Sequence, residues 1–250
     1  PIVLVPGWTI TTRFWERQID DLARDYRIVT LDLRGAGNSG KTPDGHSLSS
    51  YADDLHELID RLELEDVTLV AWAMAVSVSL HLVAAHGQGR ISRFVWVDHS
   101  PRFFSAPDWP YALFGDFSPQ ALDKALRDLA RDRPAATRTL LTGTMFSTPL
   151  SPAEADWMVA EMMKTPTEVA TAMLATVANV DLRPLLPHVD LPVLVVNGRK
   201  SVVPCAVGGW LEEHLPNARR AVLEDAGHAP FWDDAPGFNR AVRAFVEEVG

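Results

Sequence analysis

Six short, nearly unbroken apolar runs constrain this chain more than any other feature: Pro1–Val5, Arg27–Leu31, Val67–Val70, Arg93–Val97, Pro192–Asn197 and Arg219–Leu223. A strand with apolar residues on both faces belongs in a sheet covered on both sides. Between the runs the apolar period changes to that of a helix. Phe14, Ile19 and Leu22 share one side of Arg13–Tyr26. Tyr51, Leu55, Leu58, Ile59 and Leu62 do the same in Leu48–Leu62, where Ser47 or Ser49 can serve as N-cap. Further helices are expected at Met74–His86, Ala206–His214 and Gly237–Glu248. The alternation predicts an α/β fold with a mostly parallel, doubly wound sheet.

Between Pro101 and Leu186 the rhythm breaks. No strand-like run occurs there. Helical stretches at Pro119–Arg131, Ala135–Thr142, Pro152–Lys164 and Thr167–Ala178 predict a helical cap insertion, residues 101–186, above a core built from residues 1–100 and 187–250. The first residues already read as a core strand, so an upstream segment is expected.

Composition narrows the partners. Of 250 residues, 47% are apolar and 22% charged, which is ordinary for a globular chain. A net charge of −10 provides no basic field for nucleic acid and disfavours an anionic membrane surface. Cys205 is the lone cysteine, so no internal disulfide is possible and a cytoplasmic location is expected. The residues given contain no membrane-length apolar run, and no signal peptide is expected from them. No metal-ligand spacing occurs, and no cofactor is expected. Nothing in the sequence fixes an oligomeric state.

In an open parallel sheet, ligands bind at the carboxyl ends of the strands. The residues there are Pro6-Gly7-Trp8, Trp72-Ala73-Met74, Asp98-His99-Ser100, Gly198-Arg199-Lys200-Ser201 and Asp225-Ala226-Gly227-His228. A sharp strand-to-helix turn needs small flanking residues, and Ala71 and Ala75 provide them around Ala73.

Four motifs in one order, "VLVPGW", "DLRGAGNSG", "AWAMA" and "EDAGHAPFWDDAPGFN", resemble the α/β-hydrolase fold superfamily. The likeness covers essentially the whole chain and lies with its small esterases, lactonases and haloperoxidase-like hydrolases. It implies a nucleophile at the position of Ala73, a general base at His228, and an oxyanion hole from the backbone N–H groups of Trp8 and Met74. The acid usually follows the fifth strand, where this chain has Ser201. A minority of the superfamily carries it after the fourth, which assigns Asp98. Asp225 competes for that role but is expected to face solvent. Asp32 and Arg34 are expected to tie a loop beneath the site, and Cys205 to fill a small buried apolar position.

Alanine cannot attack a carbonyl, so three readings stand side by side. The first is a serine hydrolase for esters or lactones whose nucleophile has been deliberately replaced by alanine. The second is a naturally serine-less enzyme using the His–Asp pair as a base, such as a cofactor-independent dioxygenase of heteroaromatic rings or a natural-product cyclase or decarboxylase. The third is a binding protein that keeps the pocket without turnover. The Met-, Leu- and aromatic-rich insertion favours a small, moderately apolar, ring-containing substrate. Trp72, His99, Phe104, Trp109, Met145 and Trp157 are the expected wall residues, and Arg102 is a candidate partner for a ligand carboxylate.

Overall fold

The computed structural model describes residues 1–248. Six strands form one sheet: β1 (Ile2–Val5), β2 (Ile28–Thr30), β3 (Val67–Trp72), β4 (Ile91–Val97), β5 (Val193–Gly198) and β6 (Ala218–Leu223). Their order is β2-β1-β3-β4-β5-β6 and every pairing is parallel. β1 and β3 are interior strands with a neighbour on each side, and all their residues are buried, as their apolar runs require.

Successive strand side chains point to opposite faces, and the core divides accordingly. Val3, Val5, Leu69 and Ala71 join one apolar cluster with α2 (Leu48–Arg61), α3 (Met74–His86) and α8 (Ala206–His214). Ile2, Leu4, Val70 and Trp72 join the other with α1 (Glu16–Leu22), α9 (Pro230–Asp233) and α10 (Ala235–Glu248). Ser47 caps α2 by accepting from Ser50 N at 3.1 Å.

Four α-helices lie between β4 and β5: α4 (Pro119–Arg131), α5 (Arg133–Leu140), α6 (Pro152–Met162) and α7 (Thr167–Ala178). The sequence suggests that α5 begins at Ala135, just after Pro134. The helix instead starts at Arg133, with Asp132 accepting from Ala135 N at 3.1 Å. Pro134 sits in the first turn, where a missing N–H costs nothing. After Leu140 the chain makes a π-type turn, Leu141–Met145, that the helical period alone does not reveal. The helix expected over Arg13–Tyr26 is shorter, because Thr12–Trp15 is wound as a 3₁₀ turn before α1. Among the described residues no helix is long and apolar enough to cross a membrane.

Candidate functional site

β3 ends at Trp72, and Ala73 turns the chain at φ 50°, ψ −123° before α3 begins. Ala73 N donates to Val97 O at 3.0 Å and Ala73 O accepts from Val76 N at 2.9 Å, so both backbone groups of this strained turn are satisfied. Only the side chain is left to the site. The turn after β1 comes close: a Cβ on Gly7 would lie 3.2 Å from Ala73 Cβ and from Trp72 O. Trp8, which follows, and Met74, which opens α3, line the same cavity as Ala73.

Asp98 caps β4 at φ 45° and is fully buried. Oδ2 accepts from Nδ1 of His228 at 2.7 Å and from the hydroxyl of Ser201. Oδ1 accepts from Gly198 N at 3.2 Å and, more weakly, from Asn197 Nδ2 at 3.5 Å. A buried carboxylate requires such donors. Their arrangement directs the N–H at Nδ1 of His228 toward Asp98 and turns Nε2 away from it. Nε2 has no hydrogen-bond partner among the described residues, and the ring lines the cavity.

His228 is held in place by its backbone neighbours. Its carbonyl accepts from Trp72 Nε1 at 2.8 Å, and Ala229 N donates to Met145 O at 3.1 Å. The loop that carries it passes directly over the end of β5. A Cβ on Gly198 would lie 2.0 Å from Gly227 O, so only glycine allows the approach.

The cavity has a volume of about 750 Å³. Trp8, Trp72, Ala73, His99 and His228 form its floor, and residues of α4, α5 and α7 form its upper wall. Leu129, Leu140, Leu174 and Val177 make that wall mostly apolar, and Phe103 and Phe117, from the segment before α4, continue it. Its exposed members, Phe114, Arg131, Asp132, Ala135 and Thr139, mark the mouth. The indole of Trp8 donates to Ala170 O at 2.7 Å, which ties the turn after β1 to α7.

Among the wall residues expected from the sequence, Trp72, His99 and Met145 line this cavity. Phe104, Trp109 and Trp157 are not among its lining residues, and each has another partner. Phe104 stacks on Phe117 at 5.6 Å. Trp109 is fully buried against Trp210 and donates to Arg102 O at 3.0 Å. Trp157 packs between Phe14 and Trp232, with the Arg13 guanidinium 4.3 Å above its ring. Arg102 is engaged by Asp181 at 3.0 Å. Cys205 is only half-buried and accepts from Arg199 Nη1 at 3.4 Å, so the apolar burial expected of it is corrected. Asp225 faces solvent, paired with Lys200. Asp32 accepts from Thr12 N and Asn38 N, both at 2.7 Å, and Arg34 pairs with Asp54 of α2.

His99 is buried, with Nε2 2.9 Å from Ser77 Oγ. Burial, and secondarily the proximity of His228, push its pKa down to about 3, so the ring is neutral at ordinary pH. Ser77 and Asn197 are site residues that motif reading overlooked, and Ser201, read only as the occupant of the usual acid seat, turns out to donate to Asp98. Their signals are faint: a serine in the apolar start of α3, an asparagine closing "PVLVVN", and a serine where a carboxylate is usual.

Residues 1–235 match the model of the alpha/beta hydrolase fold family. A pimeloyl-[acyl-carrier protein] methyl ester esterase of Vibrio atlanticus is 26% identical over 254 residues, covering 99% of this chain and 94% of that protein. A bromoperoxidase from Bacillus anthracis superposes with a TM-score of 0.92 at 25% identity, covering 99% of this chain and 91% of the other. An esterase from Exiguobacterium antarcticum also gives a TM-score of 0.92, at 24% identity and the same coverage. Motifs, sheet order and these similarities agree: the chain belongs to the alpha/beta hydrolase fold family.

Proposed function

We propose that this chain is the framework of a serine-type hydrolase of carboxylic esters or lactones, with alanine standing where the nucleophile belongs. One observation carries the reading: the strained turn at Ala73 persists beside an intact Asp98–His228 pair. A backbone held at such dihedrals costs about 1–3 kcal/mol and persists where the surrounding structure enforces it.

With a serine hydroxyl at this position, the chemistry follows from the neighbours. Oxygen attacks the carbonyl carbon while His228 Nε2 takes its proton. Asp98 holds Nδ1–H and stabilises the imidazolium. The N–H groups of Trp8 and Met74 receive the oxyanion. His228 then protonates the departing alkoxide, and water, activated by the same nitrogen, frees the acid. Without the hydroxyl, the chain binds the ester and leaves it whole. Helices α4–α7 act as the cap, and the apolar wall selects a moderately apolar acyl or aryl group.

The test is Ala73→Ser, assayed with short p-nitrophenyl esters and lactones and with a fluorophosphonate label. Turnover and labelling in that variant alone support the reading. An inert, unlabelled but folded variant rejects it.

A second reading draws on the free Nε2 of His228. A nitrogen backed by a buried carboxylate can remove a proton from an acidic ring hydroxyl without any nucleophile. The chain would then act as a cofactor-independent dioxygenase, cyclase or decarboxylase. Conversion of a hydroxylated heteroaromatic ring in air by the Ala73 chain, lost on His228→Ala, is the result that favours it.

A further inference from the structure

We propose that His99 is a neutral hydrogen-bond donor that selects ligands carrying a carbonyl oxygen, with Ser77 fixing its tautomer. The inference rests on the reading of the cavity as the substrate site, and it adds the polar feature that the substrate must present there.

His99 directly follows Asp98 at the end of β4 and forms part of the cavity wall. Its carbonyl accepts from Trp96 Nε1 at 2.8 Å, and its ring meets the Phe103 ring edge-on at 5.3 Å, so its orientation is fixed. Ser77 lies one helical turn after Ala73 in α3 and is fully buried. Its hydroxyl has a single hydrogen-bond partner among the described residues, Nε2 of His99. If the hydroxyl donates there, both groups are satisfied. If Nε2 carried the proton, the hydroxyl hydrogen would be buried without an acceptor, at a cost of about 1–3 kcal/mol. The proton of His99 therefore sits on Nδ1.

Nδ1 has no hydrogen-bond partner among the described residues, and it is not one of the sealed polar atoms that go unsatisfied. His99 lines the cavity, and with Nε2 turned to Ser77 we assign Nδ1 to the cavity face. A single N–H set in an apolar wall asks for one acceptor atom on an otherwise apolar ligand. Burial keeps the ring uncharged. It therefore matches the neutral oxygen of a ketone, ester or ring carbonyl and offers no counter-charge to a carboxylate. Sites built around such a donor reject analogues lacking the acceptor, because the donor is left unpaired.

The experiment uses binding to the chain as it stands, followed by tryptophan fluorescence and calorimetry. The probes are pentylbenzene, the positional isomers of phenylpentanone, and phenylpentanoate. At least one ketone isomer should bind about tenfold or more tighter than the hydrocarbon and the carboxylate, the equivalent of one hydrogen bond of roughly 1.4 kcal/mol. His99→Phe should reduce that preference to within about twofold while still binding pentylbenzene. ¹⁵N spectra of histidine-labelled protein should show His99 protonated at Nδ1, and Ser77→Ala should mix the tautomers and weaken the ketone preference. Equal binding of ketone and hydrocarbon, a preference that survives His99→Phe, or a proton found on Nε2 overturns the proposal. The spectra need no substitution, so a misfolded variant does not shield it. Binding also needs no turnover: ketone selectivity in a chain that stays inert after Ala73→Ser would remove the hydrolase reading and leave the His99 donor in place.

Discussion

Ser201 and His228 both donate to the same oxygen of Asp98, although the two donors arrive on loops from different strands. Val203 N in turn donates to Ser201 Oγ at 3.0 Å, which aims the hydroxyl proton at the carboxylate. A carboxylate carried by residue 201 would thus place an oxygen beside the imidazole from the other side. In the Ala73→Ser background, Asp98→Asn should lower kcat about a thousand- to ten-thousandfold by spoiling the tautomer of His228. The double change Asp98→Ser with Ser201→Asp should recover at least about a tenth of the lost activity, measured as steady-state ester hydrolysis. No recovery in a folded double variant would mean that the two seats are not equivalent.

Ala73 carries a strain that glycine would not feel. Ala73→Gly relieves the positive φ, and part of the gain is offset by the greater freedom of glycine in the unfolded chain. A net stabilisation of about 1 kcal/mol is expected, or about 2–4 °C in Tm by calorimetry. An unchanged or lower Tm would show that the turn stores no strain.

His99 makes stability depend on acid. Folded, its pKa is about 3, against 6.5 for the exposed group. Between those values the unfolded chain binds the extra proton. The stabilising effect of holding the ring neutral is complete above about pH 6.5 and is lost as pH falls toward 3, at up to about 1.4 kcal/mol per unit. Carboxylates titrate in the same range, so the comparison is with His99→Phe. Urea unfolding at several pH values should show a shallower acid loss in the variant, and parallel curves would contradict the assignment.

Trp109 and Leu174 separate core from cavity. Trp109→Ala empties a buried position away from the cavity and should cost about 3–5 kcal/mol while ligand selectivity is unchanged. Leu174→Trp fills cavity space from α7 and should remove the bulkier ligands while stability changes by about 1 kcal/mol or less. Ligand-chain-length profiles beside urea midpoints decide both. A Trp109→Ala chain with altered selectivity would bring that residue back to the site.

The sheet is legible in the sequence because burial on both faces leaves an unbroken apolar signature, and β1 and β3 carry it most strongly. The ends of helices are less so. Pro134 reads as a break but is tolerated in a first turn, and the π turn at Leu141–Met145 has no period of its own. For the wall, aromatic content signals burial but does not say against what. Trp72 and Met145 line the cavity, whereas Trp109 and Trp157 fill packed junctions elsewhere. Ser77 and Ser201 act through partners far away in sequence, His99 and Asp98, and no local pattern records such pairs.

The bond from the Trp8 indole to Ala170 gives the molecule a hinge side and a door side. Raising α7 would break that bond or drag the turn beside Ala73 with it. The exposed lining of the cavity lies on other elements, at Phe114 ahead of α4 and at Arg131 and Asp132 where α4 gives way to α5. On the proposed hydrolase reading, a long-chain ester would lie with its carbonyl at the floor beside Ala73 and its tail at that threshold.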